Sequence, residues 1–195
     1  SFGLGNYLGY DLPAGRKGMI PDAKFYNKWY NNRWQSTYTI SNAIGQGEIL
    51  TTPMQLANMT AAIANRGYFY TPHIVKKINN KIVTDSIYST RRNTTINPEH
   101  FPIAIEAMHE VFTYGTAKWY QIDGIDICGK TGTAENPHGK SHSIFIAFAP
   151  KENPKIAVAV YVENAGYGST WSAPIASLII EKYIRLYPLR WFEVS

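Results

Sequence analysis

Ile125-Asp126-Ile127-Cys128-Gly129-Lys130-Thr131-Gly132-Thr133-Ala134 decides how this chain is read. The stretch is β-like, and two apolar runs follow it. Ser143–Ala149 puts Ile144, Ile146 and Phe148 on one face and Phe145, Ala147 and Ala149 on the other, by the two-residue period of a strand. Ile156–Val162 behaves the same way. Strands apolar on both faces need helices on both faces. The links at 135–141 and 150–155 carry Pro137, Gly139, Pro150 and Pro154 and are too short for a crossover, so neighbouring strands run antiparallel. The expected fold class is α+β: three antiparallel strands packed between helices, in one domain over residues 1–195.

Helices are expected on either side of this sheet in the sequence. Thr52 is a good N-cap, Pro53 suits the first helical position, and Gln55 completes a capping box. Leu56, Met59 or Thr60, and Ile63 form its apolar stripe, and Gly67 ends it. A second helix spans about 98–114. Asn97 caps it, Phe101, Ala104, Ile105, Met108, Val111 and Phe112 share a face, and Gly115 stops it. A third spans about 172–187. It buries Ile175, Ile179, Ile180, Tyr183 and Ile184 or Tyr187, and Pro188 ends it. Asn79-Asn80 marks a small hairpin between 70–78 and 81–85. Residues 1–48, rich in glycine and proline, read as irregular. Their aromatics (Phe25, Tyr26, Trp29, Tyr30, Trp34, Tyr38) either pack on another part of the protein or line a substrate groove.

Bulk properties exclude more than they assign. A chain of 195 residues with 45% hydrophobic content supports one globular core. No apolar run is long enough to span a bilayer. The chain opens in mid-pattern at Phe2-Gly3-Leu4-Gly5, which suggests a piece of a longer protein. The net charge of +5 is scattered, which argues against a nucleic-acid face and is compatible with attraction to anionic envelope polymers. Cys128, the single cysteine, reads as a small buried strand residue rather than a reactive thiol.

Lys130-Thr131-Gly132-Thr133 suits acyl transfer, which needs a nucleophile, a proton shuttle and donors for a developing oxyanion. Gly132 lets a substrate backbone come close. Thr131 and Thr133 share a face, where their hydroxyls can bind a carboxylate. Lys130 points the other way, to a proton-relay partner or a neighbouring strand, and adds positive potential. One backbone N–H of the strand can serve the oxyanion.

Two rival motifs fail on context. Residues 124–131 fit the phosphate-loop pattern G-x-x-x-x-G-K-[ST], but that loop must open a helix, and Gly132, Pro137 and Gly139 forbid one. His138 and His142 are four apart, yet Gly139 and the adjacent strand make them turn histidines rather than a metal pair. His73, His100 and His109 have no triad partners in the sequence. No serine here begins Ser-x-x-Lys or Ser-x-Asn, so the chain alone is expected to be inactive.

Four stretches carry a family resemblance: Gly9-Tyr10-Asp11-Leu12-Pro13, Ile44-Gly45-Gln46-Gly47-Glu48, Thr52-Pro53-Met54-Gln55-Leu56-Ala57, and Lys130-Thr131-Gly132-Thr133-Ala134-Glu135. In this order they resemble the transpeptidase domain of class B penicillin-binding proteins, in particular the elongation-type enzymes. Thr37-Tyr38 departs from it, standing where Gly-Asp is common. The resemblance implies the penicillin-binding/serine β-lactamase-like fold without its N-terminal strands. It implies a peptidoglycan D,D-transpeptidase that cross-links stem peptides through a serine acyl-enzyme and is acylated by β-lactams. Lys130 would line the site, Thr131, Gly132 and Thr133 would bind substrate, and the Thr133 N–H would complete the oxyanion hole. No cofactor or metal is implied. Expected partners are the missing N-terminal half of the same chain and cell-wall elongation proteins. The expected location is the inner membrane, with the domain on the periplasmic side. A non-catalytic sensor of the same fold is the alternative.

Overall fold

The computed structural model describes residues 1–83 and 85–186. Its elements in chain order are α1 (Ala23–Trp29), a 3₁₀ turn (Ser36–Thr39), α2 (Ile40–Ala43), α3 (Pro53–Ala64), β1 (Tyr68–Phe69), β2 (Lys77–Ile78), β3 (Lys81–Ile82), α4 (Ser86–Ser89) and β4 (Arg92–Asn93). There follow α5 (Phe101–Thr113), β5 (Cys128–Ala134), β6 (His142–Ala149), β7 (Ile156–Val162) and α6 (Ser172–Arg185). Strands β5, β6 and β7 form an antiparallel sheet in that order, so β5 is an edge.

Both faces of the sheet are covered, as two-sided apolar strands require. On one face Phe145, Ala147, Val158 and Val160 pack against Ala173, Ala176 and Ile180 of α6. On the other, Cys128 and Phe148 meet Ala64 of α3 and Phe101, Ile105 and Met108 of α5. Burial pushes the Cys128 thiol up to about 12, so it stays protonated and acts as a small apolar filler.

The capping box at α3 forms: Thr52 Oγ1 accepts the Gln55 N–H at 3.2 Å, and Gln55 Oε1 accepts the Thr52 N–H at 3.0 Å. Gln55 does more than cap. It is buried, and its Nε2 donates to the carbonyls of Asn6 and Lys17 at 2.9 and 2.8 Å. Asn58 Nδ2 donates to the Phe2 carbonyl at 2.9 Å. The buried positions of α3 are therefore Gln55, Asn58, Thr60, Ala62 and Ala64, while Leu56, Met59 and Ile63 of the expected stripe are only half-buried. The polar groups face inward because the irregular segment packed there offers backbone carbonyls that must be satisfied.

The structure corrects three other expectations and shortens the strands of the expected hairpin. Residues 1–48 are not wholly irregular, since α1 and α2 lie within them. Asp22 caps α1 by accepting the Phe25 N–H at 2.8 Å, and i, i+4 ring pairs (Phe25–Trp29 and Tyr26–Tyr30) stack along it. In the second helix a 3₁₀ turn at Pro98–His100 precedes α5. Asn97 gives no side-chain cap there, its Nδ2 donating to Glu99 Oε1 at 2.7 Å, and Ala104 is exposed. The hairpin closes on two residues per strand, with Asn79 and Asn80 both at positive φ (48° and 62°), the mirror-image turn that asparagine tolerates. Helix α6 buries Ser172, Ala173, Pro174, Ala176, Ser177, Ile180 and Glu181, leaving Ile175, Ile179 and Tyr183 exposed. Ala173 and Ala176 let α6 sit close on the phenylalanine- and alanine-lined sheet, and Ile180 is the large aliphatic of the expected set that is fully buried there. Tyr187 and Pro188 lie outside the described residues. No helix among the described residues is long and apolar enough to cross a membrane.

Asp11 ties the N-terminal segment to residues 74–75. Its carboxylate accepts the N–H groups of Ile74 (2.9 Å) and Val75 (2.8 Å), and the Val75 bond, then the Ile74 bond, holds its pKa below the ordinary value. A lowered folded pKa contributes stability above the unfolded value of about 4, lost as pH falls through the folded value. Asp11→Asn is therefore expected to lower the thermal midpoint at pH 7 and to lose less than wild type on acidification from pH 5 to pH 2. Parallel acid limbs for the two proteins would refute this clamp.

Candidate active site on the open edge of the sheet

Strand β5 carries the Lys-Thr-Gly-Thr motif because Gly129 and Gly132 permit what surrounds it. A Cβ at Gly129 would lie 2.8 Å from the Ile146 carbonyl and 2.9 Å from the Phe112 ring. The motif pairs with β6 through Lys130↔Ile146, Thr131↔Phe145, Gly132↔Ile144 and Thr133↔Ser143. Residues 128–134 are thus a strand, and the phosphate-loop reading falls with the helix it needs.

Three contacts fix which backbone groups face outward. The Ile127 carbonyl lies 3.2 Å from His109 Nδ1, the Thr131 carbonyl accepts from Lys130 Nζ at 2.7 Å, and the Glu135 N–H donates to Gln46 Oε1 at 3.4 Å. All three are odd-numbered residues, and none of their partners belongs to β6. Alternation along an antiparallel strand then puts the N–H and C=O of Gly129, Thr131 and Thr133 on the open edge as well. The Thr133 amide faces away from the sheet.

The two threonine side chains share a face, as expected, and each has a protein partner. Thr131 Oγ1 lies 3.1 Å from Thr116 Oγ1, in the turn after α5. Thr133 Oγ1 accepts the Gly168 N–H at 3.4 Å. A hydroxyl that accepts still has its proton to give, so Thr133 remains able to donate to an anion. Lys130 is exposed, and its ammonium folds back over the edge to the Thr131 carbonyl rather than to a neighbouring strand.

Nothing local in the sequence marks Gln46, Thr116 or Gly168 as partners of the motif. Gln46 sits in the Gly45-Gln46-Gly47 loop, with both glycines at positive φ (76° and 67°). Glu48, next in that stretch, accepts from the hydroxyls of Tyr26 (2.8 Å) and Tyr30 (2.9 Å), and Asn42 Nδ2 donates to the Tyr26 oxygen at 2.7 Å. The Tyr26 bond, then the Tyr30 bond, holds the Glu48 pKa below its ordinary value. The aromatic stretch therefore folds on itself and anchors the glutamine loop against the end of β5. A groove of about 1120 Å³ opens from there, lined by Gln46, Ala134, Leu56, Met59, Ile144 and Tyr161. Of the other histidines, His73 packs at a tilt against Tyr88, and His142 accepts the Asn164 N–H at Nδ1 and packs at a tilt against Tyr161.

This antiparallel sheet covered by helices on both faces has the fold of a penicillin-binding transpeptidase domain. The family model described as penicillin binding protein transpeptidase domain matches residues 1–181, and the chain belongs to that family. Its curated relatives include proteins named MrdA. Peptidoglycan D,D-transpeptidase MrdA of Acinetobacter baumannii is 30% identical over 200 residues, covering 94% of this chain and 30% of that protein. The Haemophilus influenzae MrdA is 31% identical, covering 94% and 31%. The crystal structure of Pseudomonas aeruginosa PBP2 in complex with WCK 5153 superimposes with a TM-score of 0.83 at 33% identity, over 93% of this chain and 41% of that one. Helicobacter pylori PBP2, in its complex with MreC, gives 0.77 at 32% identity, over 95% and 34%. The chain thus spans about a third of the length of these relatives.

Proposed function

We propose that this chain forms one wall of the active site of a peptidoglycan D,D-transpeptidase, whose serine lies in a part of the protein outside these 195 residues. The acyl donor lies along the open edge of β5. Its carboxylate takes the protons of the Thr131 and Thr133 hydroxyls. Its scissile carbonyl sits at the Thr133 N–H, which stabilises the oxyanion as the serine attacks. Lys130 supplies positive charge beside the site, and Gly132 admits the substrate backbone. The outward-facing Thr133 amide, flanked by the two hydroxyls, is the observation that carries this reading. The intact protein acts from the inner membrane on the periplasmic side, with elongation proteins as partners. The complex of the Helicobacter pylori PBP2 with MreC supports a protein partner of that kind.

A fluorescent penicillin tests the proposal. The intact protein is expected to form a stoichiometric covalent adduct, and the 195-residue chain alone none. In the intact protein, Thr131→Val is expected to slow acylation about tenfold or more, the worth of one hydrogen bond to a charged group, with an unchanged unfolding midpoint. No adduct on the intact protein would leave a non-catalytic module of this fold. Unchanged kinetics in Thr131→Val would remove Thr131 from the site.

A further inference from the structure

Two serines are buried where a sheet and a helix meet. Ser143 on β6 and Ser172 at the start of α6 are both 0% exposed. Their hydroxyl oxygens lie 2.9 Å apart. Ser143 Oγ reaches the Tyr167 carbonyl and Ser172 Oγ the Gly168 carbonyl, each at 2.9 Å, and Ser143 Oγ also accepts the Ser172 N–H at 3.2 Å. Burying two hydroxyls is favourable only when they are bonded, and here their partners are the backbone of a single loop. That loop, residues 163–171, joins β7 to α6. It crosses back over the sheet to the motif strand.

The contact with the strand is close. A Cβ added at Gly168 would lie 2.5 Å from the Gly132 carbonyl oxygen, 2.5 Å from the Ile144 carbonyl oxygen and 3.1 Å from the Gly132 nitrogen. All three are backbone atoms of paired strands, which cannot swing aside as a side chain can. Glycine is therefore required for the loop to sit this low. Only at this height does the Gly168 N–H reach Thr133 Oγ1. Ser143 is the register partner of Thr133, so the serine pair lies directly across the ladder from the hydroxyl it affects. Gly166 N–H to the Ser141 carbonyl, Asn164 N–H to His142 and Asn136 Nδ2 to Asn164 Oδ1 hold the loop's first half. In the half that carries Gly168, the Ala173 N–H shares the Gly168 carbonyl at 3.0 Å, and the two serines supply the side-chain ties.

We propose that Ser143 and Ser172 form a positioning latch for the transpeptidase site: they seat Gly168 on β5, so that its N–H occupies an acceptor lone pair of Thr133 and leaves the hydroxyl proton to the substrate carboxylate. The assignment rests on the functional reading above, in which Thr133 binds that carboxylate. An accepted hydrogen bond also polarises the hydroxyl and strengthens it as a donor. Ser143, Ser172 and Gly168 touch no reacting atom and act through Thr133.

The test uses the intact protein and two probes, a fluorescent penicillin and the methyl ester of the same penicillin. Ser172→Ala is expected to slow acylation by the free acid about tenfold, the scale of weakening one hydrogen bond to a charged group. The methyl ester, with no carboxylate to bind, is expected to react with the variant at the wild-type rate. Gly168→Ala, which lifts the loop with both serines intact, is expected to show the same carboxylate-selective loss and decides the matter if Ser172→Ala does not fold. Equal losses with acid and ester in both variants would reduce the pair to a structural role and overturn the proposal, as would no loss at all. Thr133→Val separates the two levels of inference. If it fails to discriminate acid from ester, the carboxylate role of Thr133 falls. If it discriminates and the latch variants do not, the latch alone falls.

Discussion

Thr133→Pro is expected to lower the acylation rate of the intact protein by about a hundredfold or more, the cost of losing one oxyanion donor. Proline is normally excluded from a sheet because it cannot donate to the ladder. Here the Thr133 N–H points away from β6, so its removal breaks no pairing bond. The residue before proline must be extended, and Gly132 already is. Thr133→Val is the control, because it keeps the amide and loses only the hydroxyl. The difference between the two variants therefore isolates the amide. Equal rates for them, at equal unfolding midpoints, would mean that the Thr133 N–H stabilises no developing charge.

The second large effect is on stability. Phe145→Ala is expected to cost about 3–5 kcal/mol of unfolding free energy, the range for deleting a buried aromatic side chain. Phe145 is 0% exposed, at the centre of the middle strand. It stands edge-on to Phe112 of α5, with ring centroids 5.8 Å apart, and belongs to the core under α6. It is also the register partner of Thr131, so the cavity opens beneath the motif. Ile103→Ala is the matched control: Ile103 is 75% exposed on α5 and should change the denaturation midpoint little. Similar midpoints for the two variants would contradict the packing described.

What the sequence disclosed follows the range of the interactions. The three strands were readable because Phe145, Ala147, Val158 and Val160 repeat on a two-residue period, and prolines and glycines punctuate the links. The start of α3 was readable because Thr52 and Gln55 bond each other three residues apart. The partners of the motif were not. Thr116, Gly168 and Gln46 meet Thr131, Thr133 and Glu135 across 15, 35 and 89 residues, and no local pattern announces such contacts. The Gly166-Tyr167-Gly168 spacing after an apolar strand was the one signal on offer, and it is weak. Helix α1 is short, and its ring stacks and the distant Glu48 do what an apolar stripe does elsewhere. In α6 the aliphatic pattern found Ile180 but also pointed to Ile175 and Ile179, which are exposed, because the small Ala173 and Ala176 fill the rest of the contact and carry no apolar stripe to read.

The edge of β5 also bears on how this protein avoids sticking to itself. An unpaired strand rim invites a second chain to add on, through a regular row of donors and acceptors. On this rim the carbonyls of Ile127 and Thr131 and the N–H of Glu135 already bond an imidazole, an ammonium and a carboxamide. A visiting strand would find its hydrogen-bond partners interrupted at every second outward rung and could not zip along the row. The peptide end of a substrate needs only the rung at Thr133, between two of the occupied ones. The spacing that admits a short guest is also what turns a long one away.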